Sequence, residues 1–391
     1  MKIAILTSGI LPVPAVQGGA VENLIDFYLD YNNQHQLHDI TVYSIWHPDV
    51  ENHLALKSNI NHYKYIKVSG LWAKLKKKLY QKTHGKEYYH YSIEFYLHEA
   101  IKDIIQQQYD IILIENRPGY ALKLKEITHV KLVCHLHNEK LSTQVARYQE
   151  IYDAASRILT VSDYIKSRVQ TINPQDTKTR TVHNGIDLLA FRQMPAKAPM
   201  QLNADDFLLV YSGRVNREKG IMELIEAMNQ LKEHQNIKLL VIGSSFYGNA
   251  NNENDFAKKL KEMAEPLKDR IIFTGFIPYS EIPCYLQIAN VAVIPSVWDD
   301  PFPTTVLEAQ AMGLPVISTR RGGIPEEVTP ETAILLDTDN HFVENLANAI
   351  LDLYEHPEKR KAMSEAAKKH SQLFSKERYA REFFEALETT T

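Results

Sequence analysis

Cysteine is nearly absent from this chain, which has 391 residues and only Cys134 and Cys284. The two cysteines lie far apart and in apolar or half-buried sequence, so the sequence excludes a disulfide framework and a cysteine-rich metal cluster. Such sparing use of cysteine is typical of a reduced compartment, and we therefore predict a cytoplasmic location.

Long apolar runs and a strong net charge are also missing. No apolar stretch reaches the roughly 20 residues that a membrane-spanning helix needs. The segment MKIAILTSGI is too short and too strand-like for a signal peptide, and Pro12 and Pro14 interrupt the sequence directly after it. The formal net charge of −4 gives no global field that attracts nucleic acid. We therefore predict a soluble protein without a nucleic-acid partner, with attachment to the inner face of the cell membrane as the alternative.

Short β-branched stretches alternate with amphipathic helical stretches along nearly the whole chain. Six such strands precede residue 190 and six follow residue 204. The alternation predicts an α/β fold of two doubly wound, Rossmann-like domains that face each other across a cleft. It breaks at Phe191–Asn203, so we place a linker at 191–203, between domains at 1–190 and 204–372. Ligands of such sheets bind beyond the carboxyl ends of the strands.

The segment WDDPFPTTVLEAQAMG, at Trp298–Gly313, carries the strongest functional signal. It follows an apolar strand, so Asp300 lies in the loop after that strand, Thr304 and Thr305 begin a helix, and Glu308 lies one turn into it. A helix N-terminus binds anions, and a carboxylate one turn further along can accept paired hydrogen bonds from a diol. Phosphate and diol together indicate a nucleotide or a nucleotide sugar.

Two cations in SGRVNREKG complement this anion site. Arg214 closes the first strand of the second half, and Lys219 begins a helix five positions later. Each alone is more often a solvated surface cation, but their shared position after that strand favours a diphosphate clamp. The adjacent acids Asp299 and Asp300 suggest a divalent metal, yet no third oxygen ligand is spaced to support them. Since the two cations can neutralise a diphosphate, we predict no metal and no cofactor.

The first half offers weaker candidates. Gly18 and Gly19 lie between a strand and a helix without the G-x-G-x-x-G spacing, which disfavours a nicotinamide dinucleotide site. They allow a bulky anion to approach the backbone, with a plain flexible turn as the alternative. His135 and His137 share one face of a strand, and His137 is the better site candidate because it is nearer the carboxyl end. A structural role is the alternative for both histidines.

Two loops of the first half have further candidates. Glu115, Asn116 and Arg117 close another strand and are candidates for acceptor binding, with loop packing as the alternative. The motif HNGID predicts a turn with Asn184 and Gly185 at positive φ, and its role is interpreted as architectural.

The chain resembles the family 4 glycosyltransferases, which have the two-domain fold called GT-B. The resemblance spans essentially the whole chain and is carried by the Gly18-Gly19 loop, His137, VSDYIKSRV, HNGID with Phe191, SGRVNREKG, VIGS, FTGFIP and WDDPFPTTVLEAQAMGLPVIS. These motifs are highly specific together, although most are weak singly. The resemblance also implies that the last helix, within 373–391, crosses back to the first domain.

The resemblance assigns roles to His137 and to the candidate residues of the second half. It implies that Arg214 and Lys219 bind the donor diphosphate, and that Glu308 binds the ribose hydroxyls. It further implies that Ile277 lines the base, that His137 contacts the sugar, and that Asp300, Phe302, Pro303, Thr304 and Thr305 hold the donor sugar and phosphates. The family usually has Glu at the position of Asp300 and Gly at that of Pro303, and both departures affect the donor-sugar contacts.

The resemblance implies transfer of a hexose with retention of configuration, and we expect this transfer to need no metal. The donor is expected to be a UDP-sugar, and the acceptor a glycan or a lipid-linked molecule of cell-surface polysaccharide or glycoconjugate synthesis. Two alternatives stay open at this point. One is a nucleotide-sugar epimerase of similar architecture, and the other is a non-catalytic partner that binds a glycosyltransferase or a glycan.

A lysine-rich segment marks the acceptor side of the first domain. Between Asn52 and Lys86 there are nine lysines and no acidic residue. Its centre, LWAKLKKKLYQK, predicts a basic amphipathic helix that lies on anionic lipid through Lys74, Lys76, Lys77 and Lys78. A solvated helix packed on the first domain is the alternative.

Overall fold

The computed structural model describes residues 1–84, 87–191, 194–199, 201–244 and 255–388. Lys86 of the lysine-rich segment and Arg192, Gln193 and Met200 of the predicted linker lie outside these ranges. Contacts between residues divide the chain into two compact units, Met1–His183 with Tyr379–Thr391, and Asn184–Arg378. None of the described helices is long and apolar enough to cross a membrane.

The first unit is built on a parallel sheet of seven strands in the order β3-β2-β1-β4-β5-β6-β7. Its strands are β1 (Lys2–Leu6), β2 (Asp39–Ile45), β3 (Asn61–Ile66), β4 (Ile111–Glu115), β5 (Lys131–Leu136), β6 (Arg157–Thr160) and β7 (Thr179–Thr181). Its helices are α1 (Ala20–His35), α2 (Leu71–Thr83), α3 (Tyr91–Ile104), α4 (Ala121–Ile127), α5 (Tyr148–Ala154) and α6 (Asp163–Gln170). The central strands are apolar and buried along their length, as expected for a parallel sheet that helices cover on both faces.

The second unit repeats this plan with six parallel strands in the order β10-β9-β8-β11-β12-β13. Its strands are β8 (Phe207–Ser212), β9 (Ile237–Ile242), β10 (Ile271–Gly275), β11 (Val291–Ile294), β12 (Val316–Thr319) and β13 (Ala333–Leu336). Its helices are α7 (Ile221–Gln230), α8 (Asp255–Ala264), α9 (Ile282–Leu286), α10 (Thr304–Ala311), α11 (Phe342–Glu355) and α12 (Pro357–Ser371).

The strand order reverses once in each unit, between β1 and β4 and again between β8 and β11. Ligands of open parallel sheets bind at such a switch point, outside the carboxyl ends of the strands. Most predicted site residues follow these strands, while His137 follows β5 and Ile277 follows β10. The topology therefore gathers the candidate residues of each unit at one edge of its sheet.

The last helix, α13 (Lys376–Glu388), contributes to the core of the first unit from Tyr379 onward. The ring of Phe383 stacks on the ring of Tyr28 at a centroid distance of 4.2 Å, and Phe384 and Leu387 are buried beside them. Fully burying one such side chain stabilises a fold by about 1.5–3 kcal/mol. The apolar stripe of α13 is therefore a structural part of the first unit.

Two expectations from the sequence are wrong. Strand β3 was not predicted; its sequence NHYKYI is polar, and it pairs with β2 at the edge of the sheet. Asn184 and Gly185 do not have positive φ. Asn184 instead donates from Nδ2 to the carbonyl oxygen of Phe302 at 3.1 Å, so the motif anchors another loop of the second unit.

Candidate functional site

A buried ion pair lies at the switch point of the second unit. Lys219 ends a short turn after β8, and its ammonium pairs with the carboxylate of Asp300 in the loop after β11. The two side chains are only 16% and 6% exposed. The hydroxyl of Ser296 donates to the same carboxylate oxygen at 3.3 Å, and Lys219 Nζ lies 5.7 Å from the ring centroid of Trp298. The pair fixes one cation at the edge of the sheet, while Arg214 in the same loop is exposed.

Helix α10 presents unpaired backbone donors beside this pair. In the part of the chain that the structure describes, the backbone N–H groups of Thr304 and Thr305 have no acceptor. Pro303 caps the helix without a side-chain hydrogen bond, and the first turn has no acidic residue. The N-terminus therefore keeps the partial positive charge that attracts an anion.

The loop that leads into α10 is held from two sides. The N–H of Gly323 donates to the carbonyl oxygen of Asp300 at 2.8 Å. The amide of Asn184 holds the carbonyl oxygen of Phe302, whose ring is buried and lies 6.0 Å from the ring of Phe374. The loop is therefore packed into the second unit.

Glu308 lies one turn into α10, as predicted, and is 2% exposed. Burial raises the pKa of its carboxyl to about 7, partly opposed by hydrogen bonds from the Thr304 and Tyr279 side chains. Near neutral pH the group is therefore poised between its acid and its carboxylate. The half-buried Ile277 follows β10 at the same edge of the sheet.

Glu327 is a candidate that the sequence did not reveal. It is fully buried after β12, and among the described residues neither of its carboxylate oxygens has a hydrogen-bond partner. Burial, reinforced by the charge of Asp300, raises its pKa well above the ordinary value. A sequence signal exists in the turn Gly322–Glu327, GGIPEE, which leaves a strand as the other site loops do.

The glycine loop of the first unit has one open and one crowded position. Gly18 and Gly19 have φ of 72° and 108°. A Cβ at Gly18 would meet no atom within 4 Å, whereas a Cβ at Gly19 would lie 2.2 Å from Oε2 of Glu22. Burial raises the pKa of Glu22 to about 7. The space at Gly18 is open to a ligand. The missing side chain of Gly19 leaves space for the buried carboxyl of Glu22, which the sequence did not single out.

A second buried cluster surrounds Glu115 at the end of β4. Its Oε1 atom accepts hydrogen bonds from the Tyr28 hydroxyl at 3.0 Å and from Nδ1 of His135 at 3.1 Å. Its Oε2 atom lies 3.0 Å from Nε2 of His137. Burial alone would raise the pKa of Glu115, but the contacts with His135 and His137 lower it to about 2. The structure therefore brings both candidate histidines onto one ionised carboxylate.

The neighbours of Glu115 are packed inside the same unit. Asn116 has φ of 55°, and its side-chain oxygen accepts from the backbone N–H of His137 at 3.4 Å. Nε of Arg117 donates to the carbonyl oxygen of Ser8 at 3.4 Å. Burial lowers the pKa of Lys140, which donates to the carbonyl of Asn116, to about 8. Acceptor binding by these residues stays a prediction.

Two groups of residues contain side chains that commonly bind metal ions: the cluster around Glu115, and the adjacent acids Asp299 and Asp300. The ligand atoms of Glu115, His135 and His137 lie within 4.8 Å of one another, which fits both a metal site and the hydrogen bonds described above. The adjacent acids of the second unit diverge, because Asp299 pairs with Arg321 at 3.1 Å while Asp300 pairs with Lys219.

Helix α2 exposes its apolar side chains. Ala73 and Tyr80 are buried against the first unit. The large apolar residues of the other face are 60–81% exposed, namely Leu71, Trp72, Leu75 and Leu79. The side chains of Lys74, Lys76 and Lys78, which alternate with these apolar residues in sequence, are exposed, and Lys77 is half-buried. A cavity of about 300 Å³ beside the helix is lined by acids as well as lysines, so it does not define an anion site.

Comparison with known proteins covers both units. The family model of glycosyl transferases group 1 matches residues 195–370, and that of Glycosyltransferase Family 4 matches residues 38–188. The protein YtcC of Bacillus subtilis, whose name assigns it provisionally to the glycosyltransferases, is 30% identical over 389 residues, which cover 95% of this chain and 87% of YtcC.

Two further relatives are similar at lower identity. The lipopolysaccharide 1,2-N-acetylglucosaminetransferase of Salmonella typhimurium is 26% identical over 292 residues, covering 71% of this chain and 74% of the relative. The crystal structure of HepE from Anabaena, in complex with UDP and glucose, matches with a TM-score of 0.73 and 20% identity over all of both chains. This structural likeness confirms the predicted two-domain α/β GT-B fold.

Proposed function

Because the chain belongs to the family 4 glycosyltransferases, we propose that it moves a hexose from a UDP-sugar to a glycan or a lipid-linked acceptor, with retention of configuration. The observation that carries the proposal is the buried Lys219–Asp300 pair beside the open N-terminus of α10. Cationic and N–H donors converge there, and the carboxyl of Glu308 lies one turn further along the helix. This set matches a diphosphate and a ribose diol.

The proposed chemistry relies on stabilising the leaving group. The bond between the anomeric carbon and the phosphate oxygen breaks, and its electron pair leaves with the nucleotide diphosphate. Lys219, Arg214 and the N–H groups of Thr304 and Thr305 bear the charge that develops there. The acceptor hydroxyl oxygen then bonds to the anomeric carbon on the face that the diphosphate leaves, and the hydroxyl proton passes to the departing phosphate oxygen. Because these donors can neutralise the charge of a diphosphate by themselves, we propose that turnover needs no metal.

The donor and the acceptor are proposed partly from the relatives. HepE was crystallised with UDP and glucose, and the Salmonella relative is named for transfer of N-acetylglucosamine to lipopolysaccharide. We therefore propose a UDP-hexose as donor and a role in cell-surface polysaccharide or glycoconjugate synthesis at the inner face of the cell membrane. Asp300 is shorter than the usual glutamate, so the identity of the hexose depends on this loop.

A donor screen tests this proposal directly. UDP-, GDP-, ADP- and TDP-sugars are added to the protein with and without EDTA, and melting temperature and donor cleavage are measured. We expect UDP-sugars to raise the melting temperature, because a ligand of the folded state stabilises it by about 2.7 kcal/mol at 100 times its Kd. Cleavage should continue in EDTA. A protein that no nucleotide sugar stabilises would contradict the proposal.

The affinity for UDP should depend on pH through Glu308. Its carboxyl must be ionised to accept two hydrogen bonds from the ribose diol, and burial raises its pKa to about 7. Lowering the pH from 8 to 6 protonates it, so the competent fraction and the apparent affinity fall about tenfold. Isothermal titration calorimetry with UDP at both pH values measures this change.

The matched control is Glu308→Gln, which keeps the size of the side chain but cannot ionise. The phosphates of UDP titrate in the same range and affect both proteins equally. The variant should therefore lack the part of the pH dependence that Glu308 causes. Equal pH dependence in the two proteins would remove Glu308 from the nucleotide site.

We also propose that α2 attaches the first unit to an anionic membrane surface. Its exposed leucines and Trp72 can enter the interface while its lysines face the headgroups. Replacing Lys76, Lys77 and Lys78 with Glu should weaken binding to vesicles of anionic phospholipid by about 100-fold or more, since each lysine near such a surface contributes about 1 kcal/mol. Vesicle sedimentation at low and high salt measures the effect.

A charge-matched control lies in the second unit. Lys258, Lys259 and Lys261 of α8 are exposed, and replacing them with Glu changes the net charge by the same amount. This variant should bind vesicles as the parent does. If both triple variants lose binding equally, a general charge effect explains the attachment and α2 is not the contact.

A further inference from the structure

Two cations of the first unit lie close together. Arg117 follows β4 by two residues and is 9% exposed, and the half-buried Lys140 follows the neighbouring strand β5 by four residues. Nζ of Lys140 donates to the carbonyl oxygen of Asn116, the residue before Arg117, at 3.3 Å. Burial and the positive charge of Arg117 both lower the pKa of Lys140, and the second effect is that of a like charge close by. The fold therefore holds two mutually repelling cations at one edge of the sheet.

The acids nearest to these cations in sequence are bound to other groups. Both oxygens of Glu115 are occupied by the hydrogen bonds described above. The carboxylate of Glu139 accepts from Nε of Arg168 at 3.1 Å. Among the described residues, neither Arg117 nor Lys140 has an acidic partner. Burying a cation without a counter-charge costs free energy, so an anion bound from outside would remove a cost that the fold now bears.

Arg117 is held by one side of its guanidinium group only. Its Cζ atom lies 5.2 Å from the ring centroid of Tyr89, and Nε donates to the carbonyl oxygen of Ser8 at 3.4 Å. Within the described part of the chain, Nη1 and Nη2 have no acceptor, and neither is one of the fully buried polar atoms, so both reach open space. Lys140 uses one of its three N–H groups on Asn116. The pair therefore offers three cationic nitrogen atoms to a ligand, two from Arg117 and one from Lys140.

Other buried cations of the first unit have a structural explanation. Arg157, which is 6% exposed, donates from Nη1 to the carbonyl oxygen of Ala386 in the last turn of α13. Nζ of Lys178 donates to two carbonyl oxygens at the C-terminal end of α5. Cations at these places satisfy the last carbonyls of a helix and its dipole. The carbonyl oxygens of Ser8 and Asn116 instead follow strands β1 and β4 and end no helix, so this explanation does not extend to Arg117 and Lys140.

We propose that Arg117 and Lys140 form an anion site of the first unit that binds a phosphate monoester. Such a group has a charge of about −1.5 to −2 and three strong acceptor oxygens, which match two cations and three nitrogen atoms. The fork of Arg117 suits two of these oxygens, and Lys140 adds a point charge. A carboxylate has one charge and two oxygens, so it would leave one cation uncompensated. The donor diphosphate is assigned to the second unit, and the link between this further phosphate and the acceptor rests on the proposed function.

The site is tested by NMR of the full chain labelled with ¹⁵N-arginine, at pH 7 and constant ionic strength. The Nε–H signal of Arg117 is identified by its loss in Arg117→Lys. Inorganic phosphate should shift this signal to saturation, whereas acetate should need at least about a tenfold higher concentration. The signal of Arg157 is the internal control and should not move. An unmoved Arg117 signal, or an equal response to acetate, would overturn the phosphate site.

Lys140→Gln tests whether the two cations act together. Loss of one hydrogen bond to a charged group should weaken the binding of phosphate at Arg117 by about tenfold or more. Lys178→Gln is the matched control, because it removes another half-buried lysine of the same unit that donates to carbonyl oxygens. It should leave the binding of phosphate unchanged. Equal effects of the two variants, or no effect of Lys140→Gln, would overturn the pairing of Lys140 with Arg117.

The link to the acceptor is measured by the release of UDP from UDP-hexoses. Hexose 6-phosphates are compared with the parent hexoses, and vesicles of phosphatidic acid, a phosphate monoester, with vesicles of phosphatidylglycerol, a diester. We expect the monoester of at least one pair to speed the release about tenfold more than its counterpart does, and the pair that responds identifies a sugar or a lipid as the carrier. Equal rates within both pairs would overturn the link to the acceptor and leave the anion site standing. No release of UDP from any donor would instead overturn the proposed function.

Discussion

Replacing Lys219 with Met should lower kcat/KM for sugar transfer by about 10²–10³, the loss seen when a donor that stabilises transition-state charge is removed. Lys219 is the cation that an ion pair fixes beside the N-terminus of α10. Without it, Arg214 and the N–H groups of the helix are the proposed donors that remain for the leaving diphosphate. The variant should also be less stable, because Asp300 is left buried without its partner. Breaking a buried ion pair from one side costs about 3–5 kcal/mol.

A double variant separates the two effects. Lys219→Met with Asp300→Asn removes both charges, so its free energy of unfolding should recover most of the loss while its turnover stays low. Lys238 forms a similarly buried pair with Asp206 at 2.6 Å, with side chains 11% and 5% exposed. Lys238→Met should lose similar stability and keep its turnover. Recovery of transfer in the double variant would show that Lys219 serves the fold and not the reaction.

Gly220→Ala should damage both the fold and the site. Gly220 has φ of 69°, and a Cβ there would lie 1.7 Å from the carbonyl oxygen of Pro295. To relieve this clash, the backbone at Gly220 or at Pro295 must move. Gly220 directly follows Lys219 and Pro295 directly follows β11, so either movement displaces a loop of the site. We expect a loss of stability of about 2–5 kcal/mol, because about 1–3 kcal/mol for overpacking adds to about 1–2 kcal/mol for left-handed backbone. We also expect a loss of turnover like that of Lys219→Met. Thermal unfolding and donor cleavage measure the two effects.

Gly275→Ala is the matched control. Gly275 has φ of 71°, and a Cβ there would meet no atom within 4 Å. The substitution should lower the free energy of unfolding by only about 1–2 kcal/mol, which is the cost of left-handed backbone for a residue with a side chain. Equal losses in the two variants would mean that backbone conformation, and not the close approach of two loops, makes Gly220 necessary.

The local parts of the fold and the site could be predicted from the sequence. The strand before Asp300 is a run of buried apolar residues, and the helix after it begins at Thr304, as its sequence indicates. Since parallel strands expose their carboxyl ends at one edge, the positions of Lys219 and Asp300 in sequence were enough to expect them together. Strand β3 was missed because its sequence is polar, and its extended form comes from pairing with β2.

The buried polar partners could not be predicted. Tyr28 reaches Glu115 from 87 residues away, and strand register sets Glu115 beside His135. Such contacts depend on the assembled sheet and helices, so the sequence showed only that Glu115 ends a strand. Glu327 was missed for the same reason. An acid in a turn is ordinary until tertiary packing removes water from it.

A crystal structure of the full chain with UDP tests the central claim most directly. The account predicts diphosphate oxygens within hydrogen-bond distance, about 3 Å, of Lys219 Nζ and of the N–H groups of Thr304 and Thr305. It also predicts both ribose hydroxyls on Glu308. A diphosphate bound elsewhere, with Lys219 still turned to Asp300 alone, would contradict it.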